Sequence, residues 1–232
     1  MKTRWRACTP VWISRNGISR GGGSVAGVGP ASVKISKVVL FAAALVPQAM
    51  LVRGVLTNHL GANPAETIQL TTGRWAFKFL LLTLAITPIR RLTKWNVLIR
   101  YRRMLGLFAF FYASCHLAAY YAFDLNFSLP AVVGDTLKRP FIFMGMAAFL
   151  TMLPLALTST KGWIRRLGKK WTLLHRLVYV SAICAAVHFG WKVKVFTGDP
   201  VVYAVVVTVL LGFRLVWQLT RERKNHVLKS AL

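Results

Sequence analysis

Long runs of apolar residues, separated by short basic segments, constrain the fold of this chain more than any other feature. A helix needs about 20 apolar residues to cross the hydrocarbon of a bilayer, and the runs approach that length without the amphipathic spacing of a soluble core. Only 16% of the residues are charged, too few to cover a soluble globule of this size. The sequence predicts an all-α membrane protein, a bundle of six transmembrane helices. The six predicted spans are 38–57, 74–89, 104–123, 140–158, 171–190 and 200–218.

The basic residues lie in alternate loops, and this pattern predicts the orientation. The segments 90–103 and 159–170 carry six and five Lys or Arg residues, whereas 58–73 carries none. Cytoplasmic loops of membrane proteins are enriched in Lys and Arg, so both termini are expected to be cytoplasmic. The same bias assigns the net charge of +26 to contact with the anionic headgroups of the lipid bilayer and not to nucleic acid.

Composition divides the chain into three segments. Residues 1–37 are rich in Gly, Ser and Arg and lack an apolar stretch before a cleavage site. They predict either a flexible basic N-terminal arm or a start placed too far upstream. Residues 38–218 form the expected transmembrane domain, and 219–232 form a basic cytoplasmic tail.

Three histidines lie inside the predicted spans: His116 in the third, and His175 and His188 in the fifth. Ionisable residues are rare in hydrocarbon and are commonly functional. Counted from the cytoplasmic helix ends at about 1.5 Å per residue, His116 and His188 lie at about 18 and 25 Å and His175 at about 6 Å. Haem iron accepts two axial imidazoles from facing helices. The sequence therefore predicts a bis-histidine haem between His116 and His188, in the outer half of the membrane.

His175 has no partner of this kind. The third helix places Arg102, Arg103 and Gly106 near its depth, and none of these is a usual axial ligand. Three alternatives follow for a second haem at His175: one protein ligand, a water as second ligand, or a ligand that spacing does not identify. The neighbouring Arg176 is a candidate contact for a haem propionate, or else it snorkels to the interface.

Other classes of protein stay open on residue spacing alone. A membrane histidine often hydrogen-bonds a neighbouring helix, which would suit a structural anchor for a soluble enzyme. Histidines that relay protons or bind a metal ion would suit a transporter, although no broken-helix pair is evident. The chain contains no nucleotide-binding loop or metalloprotease motif and only five acidic residues, so we predict no catalytic residue.

A family resemblance is carried by three stretches, 60–91, 102–120 and 138–189. The most specific part is ALTSTKGWIRRLGKKW, followed closely by LHRLVY. These residues resemble the MsrQ (YedZ) family of haem-binding subunits, in the ferric-reductase-like transmembrane group. The likeness extends over about residues 38–220. It implies a haem-binding, ferric-reductase-like domain at 38–218 in a multi-pass protein of the bacterial inner membrane.

The resemblance also implies cofactors and partners. It implies one or two b-type haems and FMN, with electrons passing from the quinol pool to a periplasmic molybdopterin-containing partner, MsrP. That partner reduces methionine sulfoxide in oxidised proteins, so this chain would be an electron-transfer subunit and sulfoxide reduction would take place in the partner. His116, His175 and His188 are implied as the haem histidines. The alternatives are a cytochrome b-type anchor subunit of another respiratory oxidoreductase and, after it, a histidine-dependent transporter.

Overall fold

The computed structural model describes residues 30–192 and 199–230, and within them every regular element is helical. Most of the predicted N-terminal arm, residues 1–29, lies outside the described residues. A short 3-10 helix, Asn96–Leu98, precedes the third α-helix. The α-helices are α1 (Pro30–Leu56), α2 (Pro64–Thr93), α3 (Ile99–Phe123), α4 (Leu129–Lys138), α5 (Pro140–Leu157), α6 (Lys161–Leu167), α7 (Lys169–Leu174), α8 (Leu177–Lys192) and α9 (Asp199–Ser230).

Proline and capping side chains determine where several helices begin. Before α2, the side-chain oxygen of Asn63 accepts a hydrogen bond from the backbone N–H of Glu66 at 3.3 Å. Before α4, the hydroxyl of Ser128 accepts from the N–H of Ala131 at 3.4 Å. Pro140 opens α5 at a position where its missing N–H costs no hydrogen bond. Local sequence therefore fixes the starts of the two helices, α2 and α5, that later contact the histidines.

Four helical stretches are long and apolar enough to cross a membrane: Ser32–Leu56, Asn96–Phe123, Pro140–Leu157 and Lys169–Lys192. They match the first, third, fourth and fifth predicted spans, and they confirm an all-α chain with membrane-type helices. Val201–Trp217 is a shorter apolar helix. The second predicted span lies within α2, which is less apolar because charged residues occur in its first half and at its end. A bundle of six spans therefore stays a prediction.

The fifth predicted span, 171–190, is divided in the structure. A turn at His175 and Arg176 separates α7 from α8. The N–H of Arg176 donates to the carbonyl of Leu173, and the N–H of Tyr179 donates to the carbonyl of Arg176, both at 3.0 Å. These bonds join residues three apart and are tighter than α-helical ones. His175 consequently lies at a helix end and not within a continuous helix.

The helices pack chiefly as two pairs, α2 with α3 and α5 with α8. The core lies where these pairs meet, and α9 packs against α8 and α2. Leu84, Ala109 and Ala182 are completely buried in it. The ring of Phe79 stacks on Phe108 and on Tyr112 with ring centres 5.6 and 5.4 Å apart. This core fixes the two pairs against each other.

Tyr112 ties α3 to α1. Its hydroxyl donates to the carbonyl of Ala44 at 2.8 Å and accepts from the N–H of Gln48 at 3.2 Å, beside Pro47. Replacing Tyr112 by Phe is expected to lower the free energy of unfolding by about 1–3 kcal/mol, because it removes a partner from buried backbone groups. Unfolding in detergent, followed by thermal shift, measures the change. Tyr121→Phe is the control, because it removes a hydrogen bond on the exposed surface. Equal losses of stability in the two variants would show that burial of the Tyr112 hydrogen bonds does not matter.

Candidate functional site

The imidazoles of His116 and His188 lie next to each other in the bundle. Their ring centres are 6.1 Å apart and their planes are inclined at 74°. His116 belongs to α3 and His188 to α8, so each helical pair contributes one ring. Depth counted along the sequence predicted this pairing, and the structure brings the two side chains together.

Each imidazole is oriented by a backbone carbonyl of the helix packed against it. Nδ1 of His116 lies 2.9 Å from the carbonyl oxygen of Gln69 in α2, and Nδ1 of His188 lies 2.6 Å from that of Phe141 in α5. A carbonyl only accepts, so each Nδ1 carries the proton and donates. The neutral ring then has its lone pair on Nε2. Metal-binding histidines are commonly oriented in this way, through the nitrogen that does not bind the metal.

Two helical glycines leave room for the rings. A Cβ added at Gly73 would lie 3.1 Å from Nδ1 of His116, and one added at Gly145 would lie 2.8 Å from Nδ1 of His188. Glycine in a helix interior costs about 1 kcal/mol relative to alanine. The close approach of an imidazole explains why both positions have glycine and not a residue with a Cβ. Sequence reasoning missed both glycines.

The two halves of the site correspond to each other. In each half a carbonyl, a glycine one helical turn later and a histidine on the next long helix occur in the same order. Both carbonyl–imidazole hydrogen bonds span 47 residues. The carbonyl, the glycine and the histidine belong to Gln69, Gly73 and His116 in the first half. In the second half they belong to Phe141, Gly145 and His188, and each of these residues follows its counterpart by the same number of positions.

The correspondence has a trace in the sequence that would have identified the glycines. The pattern Gly-x-x-Ala-Phe occurs at 73–77 and again at 145–149. The pattern Ala-x-x-His occurs at 113–116 and again at 185–188. All of these Gly, Ala, Phe and His residues line one cavity. A search for repeats at a fixed offset would therefore have pointed to the site without a structure.

A cavity of about 230 Å³ lies beside both rings, between α2, α3, α5 and α8. Its walls are mainly apolar, which is typical of sites that hold a cofactor. Three of the charged lining residues, Asp124, Arg139 and Lys192, lie at the end of the bundle where α3 and α8 end and α5 begins, whereas Arg74 follows Gly73 in α2. The larger apolar lining residues are Phe77, Leu80, Phe141, Phe149, Met152 and Phe189.

The residues present fit a haem better than a bare metal ion. The described part of the chain contains no group of three or more His, Cys, Asp or Glu side chains that could hold a metal ion. A metal bound by these two imidazoles therefore needs further ligands that the protein does not supply here. In haem, the porphyrin nitrogens supply them. The two imidazoles, each hydrogen-bonded through Nδ1, are a donor pair of the kind that haem iron accepts.

The structure does not bring His175 to this pair. Its ring stacks on Trp171 with centres 3.8 Å apart, and its Nδ1 lies 3.1 Å from the carbonyl oxygen of Trp171. The charge of Arg102 lies within electrostatic range of the ring. Arg176 is exposed and is not among the described residues that line the cavity beside His188. His175 and Arg176 thus occupy a separate region at the other end of α8.

Comparison with known proteins gives concordant matches. A family model described as the ferric reductase like transmembrane component matches residues 72–186, a segment that includes His116 and His175 and ends two residues before His188. The protein-methionine-sulfoxide reductase heme-binding subunit MsrQ of Herminiimonas arsenicoxydans is 47% identical over 203 residues, which cover 86% of this chain and 93% of that protein. Subunits of the same name from Xanthomonas oryzae pv. oryzae (strain MAFF 311018) and Xanthomonas campestris pv. campestris (strain 8004) are 47% and 45% identical, over 86% of this chain and 94% of each relative. No solved structure matches the chain.

Proposed function

Because this chain belongs to the MsrQ family of haem-binding subunits, within the ferric-reductase-like transmembrane proteins, we propose that it carries electrons through a membrane to a methionine-sulfoxide reductase. The observation that carries the proposal is the pair of neighbouring imidazoles, each with its Nδ1 bonded to a carbonyl and its Nε2 left for a metal. The relatives are named as heme-binding subunits of a protein-methionine-sulfoxide reductase. Reduction of the sulfoxide is assigned to a partner protein.

In this proposal His116 and His188 would hold a b-type haem by its iron, each through Nε2. Bound there, the haem would take up and release single electrons. The carbonyls of Gln69 and Phe141 hold each imidazole in one tautomer and one orientation. The apolar walls of the cavity exclude water from the ring. No further side chain is needed for chemistry, which suits a carrier and not a catalyst.

His175 is proposed as the ligand of a second haem at the opposite end of α8, with Arg176 in contact with one of its propionates. His175 lies in the turn before α8 and precedes His188 by 13 residues, which at the helical rise corresponds to about 20 Å. That distance would place one carrier near each surface of the membrane. FMN is proposed as a further carrier. The support for FMN and for the second haem is the resemblance to the family and the position of His175.

The proposed topology has six spans in the bacterial inner membrane, with both termini in the cytoplasm. The 30 residues of α2 extend about 45 Å, which exceeds the thickness of the hydrocarbon. Arg90 and Arg91 lie at its proposed cytoplasmic end, where the positive-inside rule expects them. The apolar stretch Val201–Trp217 of α9 supplies the sixth span. The transmembrane domain is then 38–218, followed by the basic tail 219–232.

The proposed electron path begins at the quinol pool and ends at a periplasmic molybdopterin-containing partner of the MsrP type. His116 and His188 would hold the haem in the outer half of the proposed topology, where it would supply the electrons to the partner. The short outer segments 58–73, 124–139 and 191–199 would form the docking surface for the partner. Residues 193–198 of the last segment lie outside the described residues.

A reduced-minus-oxidised visible spectrum of the detergent-purified protein, with haem quantified per chain, tests the proposal. The expected result is a b-type Soret and α band that is lost or halved in His116→Ala. Reduced protein in lipid vesicles should then pass its electrons to the purified partner, seen as reoxidation of these bands. A colourless protein obtained from haem-replete cells would contradict the proposal and would favour a transporter.

A further inference from the structure

Three cationic side chains line the cavity, and two of them, Arg139 and Lys192, lie at one end of the bundle, which is called the rim below. Arg74 comes from α2, Arg139 directly precedes α5, and Lys192 is the last residue of α8. Among the described residues, Asp124 is the one carboxylate in the same lining. The whole chain has only five acidic residues. Among the described lining residues, three cations thus face one carboxylate.

Two of these cations are close to the imidazole pair. Arg139 lies two residues before Phe141, whose carbonyl accepts the hydrogen bond from His188. Lys192 follows His188 by about one helical turn on α8. The charge of Lys192 lies within electrostatic range of both His116 and His188. A ligand held between the two rings would extend to these two side chains at its polar edge.

The nearest carboxylate leaves Arg139 free to bind another anion. The hydroxyl of Tyr120 donates to one oxygen of Asp135 at 2.8 Å, and the other oxygen lies 3.6 Å from Nε of Arg139. The Arg139 side chain is 58% exposed. Asp135 thus restrains the arginine at the rim without using the part that binds carboxylates best.

We propose that Arg139 and Lys192 bind the two propionate carboxylates of the haem held by His116 and His188. The inference rests on the proposed function and adds to it the orientation of the haem. The porphyrin has an apolar ring and two carboxylates on one edge, and the cavity has apolar walls and cations at one end. Guanidinium and ammonium groups form charge-assisted hydrogen bonds with such carboxylates. The carboxylate edge then faces the outer surface, where the partner is proposed to dock.

The charges at the rim also determine whether a substitution there raises or lowers the midpoint potential of the haem. Reduction of the haem adds one negative charge, which nearby cations stabilise and nearby anions oppose. Removal of the charge of Arg139 or Lys192 should therefore lower the midpoint potential. Removal of the charge of Asp135 should raise it. A merely structural role for these residues would not produce changes of opposite sign.

The experiment uses full-length protein loaded with haem b in lipid nanodiscs. The variants Arg139→Gln and Lys192→Gln are compared with Lys138→Gln, which removes an adjacent exposed charge that does not line the cavity. Spectroelectrochemical titration should show a lower midpoint potential in the two rim variants and little change in the control. Loss of haem to excess apomyoglobin should be roughly tenfold faster in the double rim variant, as expected for losing charge-assisted hydrogen bonds.

Asp135→Asn and Tyr120→Phe complete the set. Asp135→Asn should raise the potential, while Tyr120→Phe removes the hydrogen bond to Asp135 without changing any charge and should alter the potential much less. If the rim variants match Lys138→Gln in both potential and haem loss, the inference is wrong although haem ligation stands. A fall in potential in Asp135→Asn would also overturn it. If the unsubstituted protein binds no haem, the proposed function itself fails.

Discussion

Replacing His188 by alanine is expected to abolish the absorption bands of the haem between α3 and α8 and, with them, electron transfer to the partner. The substitution removes one of the two imidazoles that would hold the haem and leaves only His116. It also removes the ring that packs against Gly145, so the remaining space is open to water. Haem per chain and the reduced-minus-oxidised spectrum measure the loss, and reoxidation by the partner measures the consequence.

Two additions make this test specific to ligation. His59→Ala replaces an exposed histidine outside the cavity and should leave haem content unchanged. Imidazole added to His188→Ala should restore part of the six-coordinate spectrum, because the deleted side chain leaves a space of its own shape next to Gly145. Full haem content and full electron transfer in His188→Ala would exclude His188 as a ligand.

Gly145→Ala is expected to weaken haem binding about 5- to 150-fold, although it adds only a methyl group. The new Cβ would lie 2.8 Å from Nδ1, 2.9 Å from Cε1 and 3.2 Å from Cγ of His188. The ring would have to move, but its hydrogen bond to the carbonyl of Phe141 resists that movement. Overpacking of this kind costs about 1–3 kcal/mol, which gives the stated range. Haem titration of the apoprotein measures the change in affinity.

Matched glycines separate this effect from a general response to substitution. Gly73→Ala meets the ring of His116 at 3.1 Å and should weaken binding less than Gly145→Ala does. Gly212→Ala in α9 has no atom within 4 Å of the added Cβ, so haem affinity should not change and the helix should gain up to about 1 kcal/mol. Unchanged haem affinity in Gly145→Ala would show that the imidazole of His188 relaxes freely. Gly145 and the carbonyl of Phe141 would then not hold the ring in place.

The helices and the pairing of two histidines could be predicted because both follow from one-dimensional quantities. Apolar run length indicates a helix that suits hydrocarbon, and residue count along a helix gives depth. The predicted start of the second span, residue 74, was late because hydropathy does not mark where hydrogen bonding begins. In the structure Asn63 caps this helix and Pro64 is its first residue, ten residues before the predicted start. The break at His175 depends on local backbone hydrogen bonds that no apolar pattern records.

The groups that orient the rings could not be obtained from run length or depth. Which carbonyl faces Nδ1 of His116 depends on the rotation of α2 against α3, a property of packed helices. The importance of Gly73 and Gly145 likewise depends on a side chain that approaches from another helix. In the sequence, only the recurrence of Gly-x-x-Ala-Phe and Ala-x-x-His indicates which residues pack around the two histidines. The recurrence is seen only when residues 73–116 are aligned with residues 145–188.

The correspondence between the two helical pairs means that each pair carries half of a binding site. Two identical copies of such a pair, related by a twofold axis, would form the same arrangement, because every contact in an isologous dimer occurs twice. The two halves of this chain are not identical, however: the position of the first half that corresponds to His175 is Arg103, which carries no imidazole. A symmetric dimer would carry the same residue at both of these positions, so the single chain can place a histidine at one of them and an arginine at the other.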